Sequence, residues 1–171
     1  ADPIGHEVIK RGNPSYDLIV KAFGEEILDH TLEIDRKKLG SIVFSDTAAL
    51  SLLNKMTHPI MYKKIKNLIE AYKNEGDVTL VVIEAAVMLE AHFDDFTDQL
   101  WLITCDLNTR IERLTTHRNI SRDRAEKMIA SQRTDHELMS FTPYMIDNSH
   151  SLEHAYSQIK PLVDSLFGGN Q

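Results

Sequence analysis

Cysteine occurs once in the 171 residues, at position 105, which rules out an internal disulfide framework and points to a reducing compartment. The seven glycines stand at 5, 12, 24, 40, 76, 168 and 169, and none precedes a lysine. These residues therefore contain neither a Gly-rich loop with the lysine that normally cradles ATP phosphates nor a GxGxxG dinucleotide turn. GxSxG and HExxH are missing as well. No apolar run reaches the roughly 20 residues of a transmembrane helix, and the start has no signal-peptide pattern, so no membrane span is expected. Positive charge is short too: 19 Lys and Arg face 26 Asp and Glu. The net −7 argues against non-specific binding to nucleic acid, while leaving room for a local anion site.

What is present reads as one domain over residues 1–171, long enough for a real core. Val78–Ile83 holds five Val, Ile or Leu in six residues, apolar on both faces, and reads as a buried parallel strand. Glu84 follows at its end and Glu90 after a small-residue stretch. Ligands of open α/β sheets bind beyond the carboxyl ends of strands, so these two acids are candidate site residues; the plain alternative is two loop acids.

Helices dominate the first 75 residues. Asp2-Pro3 reads as an N-cap with Pro at the first helical position. Ser15 is read as the cap of a second helix ending at Gly24, and Asp35 and Asp46 as caps of two more. His58-Pro59 is expected to break the chain before a separate helix from Ile60 to about Lys73. Further on, Gln99–Cys105 reads as a second buried strand and Tyr144–Ile146 as a third. Asp106 or Asn108 caps the helix between them, Ser121 starts another to Ser131, and Ser151 caps the last, with GGNQ fraying at the end. Alternating helices and strands predict an α/β fold with a parallel sheet.

Two further groups carry chemistry. Arg110, Arg113, Arg118, Arg122 and Arg124 either clamp an anion or form a solvated face among acids. His150 and His154 sit at i, i+4, but the sequence places no third ligand, so no metal site is assigned and solvated helix histidines are the ordinary reading.

The stretches IGHEVIKRGNPSYDLIVKAFG, IDRKKLGSIVF, THP, VVIEAAVMLEAHF and YMIDNS, in this order and spacing, resemble dephospho-CoA kinase. The likeness runs from Ala1 to about Val163 and looks closest to the kinase half of the eukaryotic bifunctional coenzyme A synthase. The resemblance implies a P-loop-kinase-like parallel sheet, with a helical acceptor-side region at about 4–75 and the remaining core at 78–167, including a lid at about 108–140. It implies transfer of the ATP γ-phosphoryl group, with Mg²⁺, to the ribose 3′-hydroxyl of dephospho-CoA. Asp2 matches the second acid of the family's D-x-D, the catalytic acceptor of the hydroxyl proton or a help to Mg²⁺. His58, Glu84 and Glu90 fall on the substrate side, Glu84 standing where the coenzyme A synthase branch has Asp. Arg113, Arg118, Asp147 and Asn148 fall on the nucleotide side, and Gln132 matches a Gln before the return from the lid.

The departures cluster on the ATP side. The family's first strand and phosphate loop are absent from this chain, His117 stands at the lid Arg position with Arg118 one residue late, and Asp135 and Leu138 replace arginines. Asp135 is expected to repel phosphate. The central strand position would then be left for repacking, a separate peptide or a protein partner to fill. The expected function is a dephospho-CoA kinase-like domain binding dephospho-CoA or CoA and ATP, inactive as an isolated chain if the loop is truly missing. The alternative is a pseudoenzyme serving as a CoA-binding or structural subunit. Cytoplasm and mitochondrion both fit.

Overall fold

The structure, a computed structural model, describes residues 1–130 and 132–168. The expected helix end at Ser131 and most of the GGNQ tail lie outside those residues. The chain forms two compact units, Ala1–Phe96 and Thr97–Gln171.

The first unit is helical: α1 Asp2–Val8, α2 Pro14–Phe23, α3 Arg36–Val43 and α4 Thr47–Glu75. Asp35 and Asp46 cap as their residue type predicts. Each Oδ1 accepts two backbone N–H groups of the first turn, at 2.8 and 3.3 Å. Two starts differ from expectation by one or two residues. α1 has Ala1 as its N-cap, with Asp2 already in the first turn. α2 has Asn13 as its N-cap and Pro14 at its first position, where the missing N–H costs no intrahelical bond. Ser15 is thereby released from capping; it is fully buried and its hydroxyl donates to the Val8 carbonyl, tying α2 to the end of α1. Gly24 ends α2 at φ 83°, a left-handed value that favours glycine.

His58-Pro59 does not break the chain. α4 runs 29 residues straight through it. Proline in a helix interior costs about 3 kcal/mol, so something must hold both halves. Leu50, Leu53 and Met56 pack on a core of Tyr16, Ile19, Ile27, Ile34, Leu39 and Val43. Beyond the proline, Met61, Ile65 and Ile69 belong to a second core with Val8, Ala91 and Phe93. One helix thus spans two cores, with Pro59 at the changeover, and tertiary burial overrides the local breaker.

Val78–Ile83 is not a strand. Residues 77–85 take no regular secondary structure, and Val82 is 79% exposed. A strand apolar on both faces needs a neighbour at an edge, and among the described residues the only sheet is β1 with β2. Past that point Ile83, Ala85, Val87 and Met88 turn onto the second core, and Phe93, fully buried, closes it.

The second unit contains β1 Trp101–Thr104 and β2 Tyr144–Asp147, parallel, with Trp101 opposite Tyr144 and Thr104 opposite Asp147. Both were expected as strands, and their parallel pairing follows the α/β reading. Between them lie α5 Leu107–Arg118, α6 Arg122–Ala130 and the short α7 Asp135–Leu138, and after them α8 Leu152–Phe167. Asp106 caps α5, Ser151 caps α8, and a Thr134–Glu137 capping box starts α7. Among the described residues, Ile146, Ala155, Ile111 and Ala125 are the buried apolar residues of this unit, and Thr142 is its one buried polar residue.

Candidate active site

The sequence-named residues fall into two groups, one in each unit. In the first, the Ala1 nitrogen donates to the Glu84 carbonyl at 2.5 Å, which sets Asp2 beside the end of the Val78 segment. Asp2 is exposed in the first turn of α1, where the positive end of the helix favours its carboxylate. Glu84 is also exposed, so it remains a surface acid next to Asp2's helix start.

His58 and Glu90 meet. The half-buried His58 ring lies in α4, hydrogen-bonds the Glu90 backbone and feels the Glu90 charge. Burial lowers the His58 pKa, outweighing the raising pull of Glu90, and the neighbouring His92 lowers it further. His92 escaped the sequence reading. It holds a left-handed φ of 56°, uncommon for a residue with a side chain, at the turn that brings Glu90 to His58. One turn along α4, Tyr62 donates to Asp95 at 3.3 Å and packs on Phe96, ring centroids 4.4 Å apart. No spacing rule joins residues 62 and 95; folding alone pairs them. Ala1, Ile60, Tyr62 and Met88, close in sequence to Asp2, His58 and Glu90, all border one core.

The second group surrounds an open groove of about 540 Å³ between α5 and α6, lined by Arg113, His117, Arg118, Met128, Ile129 and Gln132, among others. Arg113 lies 3.7 Å from the Cys105 sulfur at the end of β1, and its guanidinium faces the groove with Arg118. Asp135, expected to repel phosphate, is instead neutralised. Both its oxygens accept from Arg110 Nη2, at 2.6 and 2.7 Å, and Arg110 Nε donates to the Cys105 carbonyl at 2.7 Å. The groove therefore keeps the positive character of Arg113 and Arg118.

Asp147 and Asn148 close β2. The Asn148 N–H donates to the Thr104 carbonyl at 2.8 Å, extending the ladder by one bond. Asp147 Oδ1 accepts from the Ser149 hydroxyl and N–H, and those bonds hold its carboxyl below the usual carboxylate range. The Gln158 side chain accepts from the Asp147 N–H at 3.0 Å and donates to its carbonyl at 2.9 Å. The turn is thus fixed from both β1 and α8, as a site beyond strand ends requires.

Comparison with known proteins gives a consistent picture. A model of the dephospho-CoA kinase family matches residues 1–154. The chain is 34% identical over 166 residues to the dephospho-CoA kinase of Aquifex aeolicus, covering 97% of this chain and 83% of that one. It is 32% identical over 163 residues to that of Carboxydothermus hydrogenoformans, covering 95% and 79%. In fold it is similar to a dephospho-CoA kinase from Campylobacter jejuni, with a TM-score of 0.63, 22% identity, and 98% and 83% of the two chains covered. A crystal structure of a Thermus thermophilus protein aligns with a TM-score of 0.74, 19% identity, and 96% and 82% covered.

Proposed function

The chain belongs to the dephospho-CoA kinase family, and from that membership we propose that its two groups of residues serve ATP-dependent phosphorylation of the 3′-hydroxyl of dephospho-CoA. The observation that carries this reading is the meeting of His58 and Glu90, two residues matched to the acceptor side of the family. In the reaction the oxygen of the 3′-hydroxyl bonds to the γ-phosphorus, the bond to the β-phosphate oxygen breaks to leave ADP, and the hydroxyl proton passes to Asp2. Asp2 suits that task because it is an exposed carboxyl in the first turn of a helix. His58, kept toward its neutral form by burial, and Glu90 orient the acceptor through hydrogen bonds. Arg113 and Arg118 attract the phosphates, and Asp147 with Asn148 frames the nucleotide base. Mg²⁺, the family's usual companion of ATP, is a hard ion bound through one or two carboxylates plus phosphate oxygens; Asp2 is the residue here of the right chemistry, and the ion would offset phosphate charge.

Phosphoryl transfer depends on neutralising charge, and no Gly-rich lysine loop occurs within the 171 residues. A second reading, a CoA-binding subunit without turnover, draws on the displaced Arg118. Its other support, a repelling Asp135, lapses because Arg110 neutralises that charge.

The test is conversion of dephospho-CoA and ATP to CoA and ADP by the natively purified protein, alongside Asp2→Asn. We expect turnover to fall by about 10²–10⁴-fold, the usual contribution of a positioned base, with dephospho-CoA affinity little changed. Equal turnover in the variant removes Asp2 from the chemistry. Binding without any turnover in the native protein selects the second reading.

A further inference from the structure

Where β2 gives way to α8, three metal-ligating side chains converge. The donor atoms of Asp147, His150 and His154 all lie within 4.8 Å of one another. The sequence offered the two histidines without a third ligand; the strand end supplies it. Ser149 occupies Oδ1 of Asp147 with two hydrogen bonds, at 2.8 and 2.5 Å, and so fixes the carboxylate plane. Oδ2 is left facing His150 Nε2 at 3.6 Å. The His150 and His154 rings stand edge to face, centroids 5.0 Å apart at 87°. His154 is held in the first turn of α8, where its N–H donates to the Ser151 hydroxyl.

We propose that Asp147, His150 and His154 bind one Zn²⁺ per chain, leaving the fourth position for water or an exogenous ligand. Zinc takes imidazole nitrogen and carboxylate oxygen at about 2.0–2.2 Å, so ligand atoms on a tetrahedral ion lie roughly 3.3 Å apart. Both histidines are exposed, so their rings have room to adjust toward that spacing. The backbone beneath stays put, because Gln158 and Thr104 already pin residues 147 and 148. Ser149 is the partner that orients the ligand carboxylate, the role such outer residues play in built zinc sites.

Ligand chemistry decides the ion. Two imidazoles and one carboxylate suit Zn²⁺ and its late-transition neighbours, whereas Mg²⁺ favours oxygen alone. The ion is therefore chemically distinct from the one that accompanies ATP, and the site does not rest on the kinase reading. The positive end of α8 opposes a cation here, but coordination by three ligands is much the stronger effect. The other such group among the described residues, His92, Asp94 and Asp95, offers a single imidazole and serves as the control.

The experiment is a calorimetric titration of the 171-residue chain with Zn²⁺ in the presence of excess Mg²⁺, repeated with His150→Ala, His154→Ala and His92→Ala. One ion per chain is expected. Either of the first two substitutions should weaken it by more than the roughly 10–100-fold that loss of an outer-shell partner costs, and His92→Ala should leave it unchanged. Substituting Co²⁺ should give a visible absorption band that disappears in His154→Ala. Absence of binding, or Zn²⁺ affinity that survives in the His150→Ala/His154→Ala double variant, overturns the proposal. If a variant fails to fold, ring ¹⁵N chemical shifts of the unaltered protein decide the matter: both His150 and His154 must move on adding Zn²⁺, and unmoved rings refute the site.

Discussion

At the scale of single residues, environment sets the chemistry more than residue type does. Asp135 and Asp2 are both acids, yet one is bound by Arg110 at 2.6 Å while the other stands exposed at a helix start. His58 shows the same point through its proton. Burial favours the neutral ring and lowers the pKa from 6.5, with Glu90 opposing and His92 assisting. A depressed folded pKa means that the contribution to stability is complete above pH 6.5 and is lost as pH falls through the folded value. His58→Gln should therefore flatten the dependence of stability on pH below that point, as measured by urea unfolding at a series of pH values. A profile as steep as the parent's would mean that burial does not hold this ring neutral. The meeting of His58 with Glu90 was half legible, since each residue was picked out on motif grounds, but nothing in the sequence announced His92 or the Tyr62–Asp95 pair.

At the scale of elements, capping was readable at four helix starts and missed at Asp2 and Ser15, and helix continuity was not readable. Asp35, Asp46, Asp106 and Ser151 each sit where a short polar side chain can accept first-turn N–H groups, and each does so. Pro59 follows the opposite logic: a strong local breaker overruled by two cores that grip the helix on either side of it. Replacing it tests that account. Pro59→Ala recovers about 3 kcal/mol of helix propensity and gives back up to ~1 kcal/mol of unfolded-chain entropy, so a net gain of about 2 kcal/mol is expected. Chemical denaturation of the parent and the variant measures it. A loss of stability would show that the cores require the distortion proline imposes.

For the whole molecule, the decisive contrast is between apolar residues that found a core and those that did not. Phe93 is fully buried and Val82 is 79% exposed, though they lie 11 positions apart in one apolar-rich stretch. Phe93→Ala should cost about 3–5 kcal/mol, whereas Val82→Thr should stay within about 0.5 kcal/mol. Thermal unfolding of both variants checks this, and comparable losses would place Val82 in a core. The sequence by itself determined the helical first half, the α/β class, the two strands that pair in parallel and the family, because periodicity, caps and motif order are local or cumulative signals. Only the tertiary structure decided that α4 runs on through Pro59, that Asp135 is neutralised, that Asp147 joins two histidines, and that Val78–Ile83 has no strand beside it among the described residues. Each of these depends on which distant residue arrives as a neighbour: a core on both sides of the proline, a guanidinium 25 positions upstream of the acid, a strand end beside a helix start, an edge with nothing to pair.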